Sequence, residues 1–510
     1  MKTQKILNMK NLINRLVIGA VALLLLPSCS GFLDTVPSNA TSKETAFLTI
    51  RDAGLAINGV YWGLKRDDYY GGPMQMMGDN RGDDLQPRNS SSGFSSDLYA
   101  FRYTSENLTN WGIWNRCYNT IMKVNEILWA WEAIPVVGAN ETAQKNDIKG
   151  QALALRAFSH FDVVRSYGYP FLKDNGQSLG AVLLDRTVTP AEALEIPRST
   201  VSETYAFILA DIQEALPLLF KPSTLTEAQA VANPAQDLPG KRGKVNYWGA
   251  KMLQARVYLY MGQWENAYNA AREVIAESPY RLASNSDYLT YWQTQGGSET
   301  IFELLVGIGA EDMDSNNNYS ALYAQLWHAS NGRGTLIPTQ DWLDLMDEDP
   351  DDVRGKVISV GDGASGSTWL RKFPGTDGRD FSHNDPRIFR LAETYLIAAE
   401  AALASGRQAE ADTYLDAIRK RANPENPTIT CTLDDILKER RKEFIGEGHR
   451  FFDMMRLGKT ITRKGGFHFA TEIYEAPESY DWNYYKVVLP ISRSTRLIYP
   501  LLAQNPGYTN

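Results

Sequence analysis

Apolar residues recur at helical spacing in seven segments of the chain, with polar residues between them. An apolar residue every three to four positions is typical of helices that pack on one face. The pattern predicts helices over residues 44–65, 108–134, 141–168, 199–219, 245–277, 387–422 and 432–458. Long stretches rich in Gly, Asn, Asp, Ser and aromatic residues separate them, at 66–107, 170–198, 221–244, 280–386 and 460–500. The chain is therefore expected to be a helical scaffold that supports a large irregular face.

Two of the helical segments share an internal pattern. Residues 251–279 and 390–422 each carry small residues where two helices would touch and a glycine at the turn between them. This spacing is typical of tetratricopeptide-type helical hairpins. The runs TIFELLVGI (300–308) and YKVVLPI (485–491) have the composition of short strands. We therefore predict a mainly α, tetratricopeptide-like repeat scaffold with a large loop-rich insertion that carries short β-hairpins.

The first 28 residues have the features of an export signal. A basic leader precedes the apolar run LVIGAVALLLL at 16–26, which is short for a membrane-spanning helix. The following LPSC resembles a bacterial lipobox, in which the cysteine becomes the lipidated first residue of the mature protein. We expect a signal peptide at 1–28, lipidation at Cys29 and a single domain at 29–510. An ordinary secretory peptide with an incidental cysteine is the alternative.

Charge and cysteine content narrow the range of partners. Removal of residues 1–28 takes away four basic and no acidic side chains, so the mature chain carries 48 basic and 60 acidic residues, a formal net charge of −12. An acidic body lacks the basic face that nucleic acid or an anionic membrane requires, so we expect attachment through the lipid and no nucleic-acid partner. Cys117 and Cys431, the only other cysteines, are expected to be free core thiols.

The sequence holds only weak matches to catalytic and metal-binding motifs. None of the five histidines has a second ligand at helical spacing or lies in an HExxH frame. GDGASG at 361–366 fits a nucleotide-binding fingerprint, but no helix is predicted after it. DMDSNNN at 312–318 begins like a calcium loop without its turn glycine or its bidentate glutamate. The acids at 83–84 and 347–352 could serve glycoside hydrolysis only if they faced each other. We therefore predict no metal, no cofactor and no enzyme activity.

Aromatic and polar residues in the irregular stretches are the candidates for ligand binding. Sugars present weakly apolar C–H faces between hydroxyl rims, so they suit aromatic platforms flanked by Asp, Asn, Gln or Arg side chains. The candidates are Arg81, Asp83, Asp84, Tyr99, Phe101, Tyr291, Trp292, Tyr319, Tyr323, Trp327 and Trp369. For each aromatic residue, packing against the scaffold is the alternative. Tryptophans in periodic helices are instead expected in the core: Trp111, Trp114, Trp129, Trp131, Trp248 and Trp264.

The most charged helical segment, at 439–459, crowds acids, arginines and His449 into one stretch. Its charged residues stand three or four positions apart, which permits ion pairs between successive helical turns. His449 has no ligand or nucleophile partner at helical spacing. We therefore expect this segment to hold the scaffold together and the loop aromatics to bind the ligand.

Six motifs lie in a fixed order along the chain. They are the lipobox with CSGFLDTVPS (29–38), ALRAFSHFDVVRSYGYPFL (154–172), ARVYLYMGQWENAYNAAREVI (255–275), IFRLAETYLIAAEAALASG (388–406), KERRKEFIGEGHRFFDMMRLGK (438–459) and QNPGY (504–508). In this order they resemble the SusD/RagB outer-membrane lipoproteins of Bacteroidota, nearly end to end. LPIS at 489–492 departs from the family's Pro-Ile-Pro and affects a loop.

The resemblance implies a fold, a function and partners. It implies a scaffold of about four tetratricopeptide-like helical pairs, with an N-terminal part at about 29–240 and a C-terminal part at about 245–510. It implies a lipid-anchored protein on the outer face of the outer membrane that binds a glycan, delivers it to a SusC-like TonB-dependent transporter and has no catalytic residues. The alternatives are a peptide-binding importer component of the same family, a secreted glycan-degrading enzyme and an adaptor that binds only protein.

Overall fold

The structure is a computed structural model of the chain. It describes residues 46–66, 68–88, 93–107, 112–226, 243–306, 334–359, 368–376, 378, 384–463 and 468–509. The chain divides into Met1–Leu48 and a body, Thr49–Asn510, and all features below belong to the body. The expected lipidation site, Cys29, lies outside the described residues.

Helices make up most of the described body. In chain order they are α1 (Ile50–Leu64), α2 (Pro73–Asp79), α3 (Phe94–Tyr99), α4 (Ile113–Ala130), α5 (Gly138–Tyr167), α6 (Phe171–Asp174), α7 (Pro190–Ala193), α8 (Val201–Ala215), α9 (Tyr247–Tyr260), α10 (Trp264–Glu277), α11 (Tyr288–Trp292), α12 (Gln340–Asp347), α13 (Leu391–Ala404), α14 (Gln408–Ala422), α15 (Leu433–Phe444), α16 (Arg450–Arg456), α17 (Phe469–Ile473) and α18 (Arg493–Ile498). Single 3-10 turns occur at Trp131–Ala133, Val353–Val357 and Tyr485–Val487. No described helix is both long and apolar enough to cross a membrane.

The long helices stack in four pairs within the described part of the chain. α1 packs on α4, α5 on α8, α9 on α10, and α13 on α14. Contacts of α4 with α5, α8 with α9 and α10 with α13 join each pair to the next. This arrangement confirms the mainly α, tetratricopeptide-like scaffold that the sequence predicts.

Local sequence fixes where these helices begin and turn. Thr49, Thr200 and Thr432 each cap a long helix, and an acidic residue three positions later bonds back to the capping threonine. Gly262 and Gly406 adopt positive φ values of 67° and 75° at the turns of two hairpins. Glycine takes this left-handed conformation without steric cost, so each pair can reverse sharply.

Strands are short and pair over long sequence distances. They are β1 (Leu85–Pro87), β2 (Thr300–Glu303), β3 (Leu336–Pro338), β4 (Ile358–Ser359), β5 (Trp369–Leu370), β6 (Arg387–Arg390), β7 (Ile461–Thr462) and β8 (Ser479–Tyr480). Four antiparallel pairs form: β1 with β3, β2 with β6, β4 with β5, and β7 with β8. Short β pairs are therefore present, as the sequence predicts, and β1 and β2 take partners far away in the chain.

Two local expectations are wrong. In the run 485–491, Tyr485–Val487 forms a 3-10 turn and no residue joins a strand. The Leu489 N–H instead donates to the Ser166 carbonyl at the end of α5. Trp129 is 52% exposed on α4, although its helix is part of the core. Trp131 and Trp248 are buried, Trp114 and Trp264 are half-buried, and Trp111 lies outside the described residues. Cys117 and Cys431 are buried free thiols, which confirms the prediction for them.

Candidate functional site

An open cleft of about 390 Å³ lies between α12 on one side and α15 and α16 on the other. Thr339 caps α12 by accepting a hydrogen bond from the Trp342 N–H, and α12 buries Trp342 against the body. The cleft is lined by Asp341, Asp344, Leu345, Glu348, Asp434, Leu437, Lys438, Arg441, Arg450, Met454 and Lys459. Charged side chains of both signs dominate this lining, and none of these residues is aromatic.

Ion pairs engage the charges of the cleft. Lys438 pairs with Glu348 across the opening, and Lys459 lies 2.5 Å from Asp434. Arg441 Nη2 lies 2.6 Å from Asp341 Oδ2. Most of these side chains are partly exposed, so each pair contributes little stability on its own. A polar ligand that entered the cleft would have to exchange hydrogen bonds with these pairs.

Asp83 and Asp84 lie behind the cleft and are both buried. Arg450 donates two hydrogen bonds to Asp83, and Arg441 Nε donates to Asp84 Oδ1 at 2.7 Å. Their backbone carbonyls accept from the hydroxyl and the N–H of Thr339, both at 2.9 Å. This acidic pair therefore ties α15, α16 and the start of α12 together.

The two neighbouring carboxyl groups have opposite pKa shifts. Burial alone would raise the pKa of Asp83, but attraction to Arg450 and Arg441 outweighs it and holds that pKa well below its usual range. Burial raises the pKa of Asp84 to about 6 against the attraction of Arg441, and the charge of Asp83 adds to the rise. Asp83 therefore stays ionised in mildly acidic solution, whereas Asp84 can take a proton there.

Arg81 is fully buried, so its side chain offers no exposed surface to a saccharide. Its Nε donates to the Met77 carbonyl at 2.9 Å and its Nη1 to the Val487 carbonyl at 3.0 Å. Its guanidinium carbon lies 3.8 Å from the centre of the Phe451 ring. Backbone carbonyls and the Phe451 ring thus take the place of water around the Arg81 guanidinium. Through these contacts Arg81 links α2, the 3-10 turn at Tyr485–Val487 and α16.

Tyr99 and Phe101 are packed in the same region. The guanidinium carbon of Arg463 lies 3.9 Å from the centre of the Tyr99 ring, and the Tyr99 hydroxyl lies 3.0 Å from Thr471 Oγ1. The Phe101 ring meets Tyr480 edge to face, with 4.8 Å between centroids. Protein neighbours therefore occupy the faces on which a sugar would stack.

Tyr291, Trp292 and Trp369 are also buried. Arg387 lies 4.5 Å from the Tyr291 ring centre, and Lys372 Nζ lies 4.5 Å from the Trp292 ring centre. Trp369 forms part of β5. A saccharide could therefore reach these three aromatic residues only by displacing protein.

The remaining aromatic candidates, Tyr319, Tyr323 and Trp327, lie outside the described residues, as do the motifs at 312–318 and 361–366. The structure thus brings Arg81, Asp83, Asp84, Tyr99 and Phe101 together as an internal support. The cleft residues Asp341, Asp344 and Leu345 on α12 were missed by the sequence reasoning, which named Glu348 only within the acidic run 347–352. The available signal was the placement of Asp341, Asp344 and Glu348 at i, i+3 and i+7, on one helix face.

The segment 439–459 forms a buried ionic centre. Glu443 lies 2.7 Å from Arg390, 2.6 Å from Arg421 and 3.2 Å from Arg354. Burial would raise the pKa of Glu443, but the three arginines outweigh it and hold the pKa well below its usual range. His449 stacks on Phe444 with 4.4 Å between ring centroids. These contacts agree with a structural role for the segment.

Metal ligands do not gather in the described ranges. Across the described parts of residues 46–509, no group of three or more His, Cys, Asp or Glu side chains is arranged to hold a metal ion. The cleft carboxylates Asp341, Glu348 and Asp434 each face a lysine or arginine. These three carboxylates are therefore already paired with cationic side chains.

Two family models match the chain. Residues 355–508 match the SusD family, and residues 31–236 match the family described as starch-binding and associating with the outer membrane. Together the matches span most of both halves of the sequence.

Relatives and solved structures point to the same family as the two family models. A SusD superfamily protein from Bacteroides vulgatus is 34% identical, and the match covers 91% of this chain and 100% of that one with a TM-score of 0.80. A laminarin-binding SusD-like protein shares the fold at 23% identity and a TM-score of 0.71, over 91% and 100% of the two chains. The starch-binding protein SusD of Bacteroides thetaiotaomicron is 38% identical over 94 residues, which are 18% of this chain and 17% of that one. The chain therefore belongs to the SusD family.

Proposed function

We propose that this protein is a cell-surface lipoprotein, anchored in the outer membrane through Cys29, that binds a glycan and delivers it to a SusC-like TonB-dependent transporter. Family membership over nearly the whole chain carries the proposal, since the N-terminal family model is described as starch-binding and associating with the outer membrane. Two relatives are named for the glycans they bind, starch and laminarin. A shared fold does not fix a ligand, so the proposal names a glycan and no particular sugar.

The proposed ligand platform consists of Tyr319, Tyr323 and Trp327, in the stretch 280–386 that the sequence predicts to be irregular. An aromatic face among polar side chains offers a sugar both stacking and hydrogen bonds. Loops on a rigid scaffold commonly carry binding residues. The buried candidates, such as Trp292 and Arg81, would act indirectly by holding that scaffold rigid.

The proposed mechanism is capture and hand-over, with no bond broken. Glycoside hydrolysis needs two carboxyl groups that face each other across the scissile bond, about 5–10 Å apart. Asp83 and Asp84 are consecutive, and each is bound to its own arginine behind the cleft. This arrangement supports binding without catalysis, with an affinity weak enough to release the glycan to the transporter.

Uptake by cells tests the proposal. Fluorescently labelled starch or laminarin oligosaccharides are offered to cells that carry the native protein or the Cys29→Ala variant, and cell-associated fluorescence is measured. The native protein should support uptake, and the variant should lose it while the purified variant still binds the glycan. Equal uptake by both cell types would contradict the anchored delivery role, and binding of peptides alone would contradict the glycan assignment.

A further inference from the structure

The cleft between α12 and the helices α15 and α16 contains none of the residues of the proposed platform. Its volume of about 390 Å³ falls within the range of about 300–1,000 Å³ that ligand sites commonly have. Leu345, Leu437 and Met454 line the cleft and are buried, so apolar atoms form a floor beneath its charged side chains. An apolar floor below polar groups is the usual build of a site for a small ligand.

The lysines of the cleft are held less firmly than its carboxylates. Lys438 pairs with Glu348, whose side chain is 54% exposed, and Lys459 pairs with Asp434, whose side chain is 81% exposed. Ion pairs as exposed as these contribute little stability. A lysine ammonium sits on a flexible four-carbon stem and can turn into water, whereas an aspartate side chain is short. Either lysine can therefore give up its carboxylate to another cation.

Asp344 offers a carboxylate that no lysine has to leave. Its Oδ1 accepts a hydrogen bond from Gln340 Nε2 at 2.7 Å, and it pairs with no cation among the residues that the structure describes. Glu348 follows four positions later, so the two carboxylates are neighbours on the surface of α12. An ammonium group has three N–H donors and no acceptor. It can therefore donate to Asp344 and Glu348 at once.

The charge balance of the cleft favours a cation over an anion. Arg441 and Arg450 line the cleft, but the buried Asp84 and Asp83 hold them from behind. An anion could take these arginines only by leaving a buried carboxylate without its partner, which is costly. With these two carboxylates included, six acidic and four basic side chains surround the cleft, a formal net charge of −2. A cleft with an excess of negative charge concentrates cations.

We propose that this cleft binds an amino sugar, whose protonated amine lies between Asp344 and Glu348 and whose ring lies over the apolar floor. The ligand ammonium takes the place of the Lys438 ammonium at Glu348, so one ion pair replaces another and Lys438 gains water. The weakly apolar C–H face of the sugar ring covers the exposed atoms of the floor. An N-acetylated sugar has the same ring without the charge and is not a ligand for this site.

Calorimetric titration of the full lipidated protein in a neutral detergent at low ionic strength tests the proposal. The probes are a β-1,4-linked glucosamine trimer, its fully N-acetylated counterpart and spermidine. The glucosamine trimer should bind about tenfold more tightly than the N-acetylated trimer, as two exposed ion pairs allow. It should also bind more tightly than spermidine, which has amines but no ring for the apolar floor. Equal affinities of the two trimers, spermidine binding as tight as that of the glucosamine trimer, or no binding of that trimer would overturn the proposal.

Two aspartates of α12 supply matched variants. Asp344→Asn removes a proposed acceptor, whereas Asp347→Asn makes the same change at an exposed position that does not line the cleft. Both side chains are exposed, so both proteins should fold. Asp344→Asn should weaken binding of the glucosamine trimer about threefold, the effect of one exposed ion pair, and Asp347→Asn should leave it unchanged. Equal affinities of the two variants would contradict a site at Asp344.

Removal of the competing lysine should act in the opposite direction. Lys438→Met keeps an apolar stem and takes the ammonium away from Glu348. Because the ligand amine no longer has to displace Lys438, this variant should bind the glucosamine trimer about threefold more tightly than the native protein. A ligand that was held by the lysine itself would bind the variant more weakly. Unchanged or weaker binding of the trimer would overturn the proposed exchange.

The platform variant Trp327→Ala separates this proposal from the proposed function. It should bind the glucosamine trimer as the native protein does, because the cleft contains no platform residue. Loss of trimer binding in Trp327→Ala would place the trimer on the platform and overturn the site in the cleft. Failure of the native protein to bind neutral glycans, with the trimer still bound, would contradict the proposed function alone.

Discussion

Arg450 holds Asp83 through two parallel hydrogen bonds, Nε to Oδ1 at 2.6 Å and Nη2 to Oδ2 at 2.8 Å, across 367 positions of sequence. Asp83 is buried, and Arg450 also lines the cleft. The pair therefore joins the loop after α2 to α16 and forms the back of the cleft wall. Its neighbour Asp84 has a pKa that is shifted in the opposite direction, so the two residues can be tested against each other.

Asp83→Asn and Asp84→Asn make the same chemical change at consecutive buried positions. At pH 7 we expect Asp83→Asn to lower the free energy of unfolding by about 3–5 kcal/mol. It removes the carboxylate that is hydrogen-bonded to the buried Arg450 and leaves only Asp84, whose Oδ2 lies 4.0 Å from Arg450 Nε. Asp84→Asn should lower the free energy of unfolding by clearly less, since Arg441 keeps Asp341 as an ion-pair partner. Urea unfolding of both variants measures the difference. Equal losses would show that the two carboxylates do not differ as described.

The same two variants should also differ in their pH dependence. The folded-state pKa of Asp84 is raised to about 6, so its contribution to stability is fully present below the unfolded pKa of about 4 and is lost as pH rises through 6. The native protein should therefore gain stability relative to Asp84→Asn between pH 7 and pH 4.5. A constant difference across that range would contradict the raised pKa.

His160 should lower the stability of the protein as pH falls, which is opposite to the effect expected from Asp84. It is buried beside the Arg156 carbonyl, and burial lowers its pKa to about 4. The unfolded chain takes up this proton near pH 6.5, so the contribution is fully present above pH 6.5 and falls by roughly 3 kcal/mol as pH drops to 4. Denaturant unfolding at several pH values should show a shallower acid loss in His160→Gln. If stability falls with pH equally steeply in His160→Gln and in the native protein, His160 is not the source of the acid sensitivity.

Gly448 should tolerate no side chain, whereas Gly59 should accept one. Gly448 has a φ of +78°, and a Cβ there would lie 2.7 Å from the Gln75 carbonyl oxygen on α2. We expect Gly448→Ala to cost about 2–4 kcal/mol from backbone strain and overpacking. Gly59→Ala should add roughly 0.5–1 kcal/mol, because alanine favours a helix and nothing blocks it. Thermal unfolding of the two variants checks the sign of each change.

Trp327→Ala and Trp292→Ala should separate ligand binding from stability. Under the proposed function, Trp327→Ala should weaken glycan binding about tenfold through loss of a stacking platform and leave the unfolding midpoint unchanged. Trp292 is buried, so Trp292→Ala should cost about 3–5 kcal/mol of stability. Trp129→Ala, at an exposed position on α4, serves as the control for both measurements. Native-like glycan affinity in Trp327→Ala would remove this residue from the platform.

The helical scaffold could be predicted from the sequence because its signals are local. Apolar spacing, threonine caps and the turn glycines Gly262 and Gly406 act within a few residues of each other, and the observed helices match the predicted segments closely. The strand partners could not be predicted, because β1 pairs with β3 some 250 positions away. No local pattern specifies such a partner when each strand is only two to four residues long.

The candidate site was harder to predict because burial depends on distant neighbours. Tyr99 and Phe101 lie in a polar stretch of sequence, yet Arg463 and Tyr480 cover their faces in the fold. Trp62 and Trp129 show the opposite case. Their helices are apolar in sequence, but these two side chains face outward and are exposed in the fold. A sequence shows which side chains can stack on a sugar, and only the assembled fold shows which faces remain open.

Incubation of the purified soluble protein with intact polysaccharide tests the central claim most directly. A soluble form truncated at Cys29 is mixed with starch or laminarin, and affinity and polysaccharide chain length are measured on the same samples. We predict saturable binding to at least one glycan, with the chain length and the number of reducing ends unchanged. Release of oligosaccharides, or absence of binding to any glycan in a broad panel, would contradict capture without cleavage.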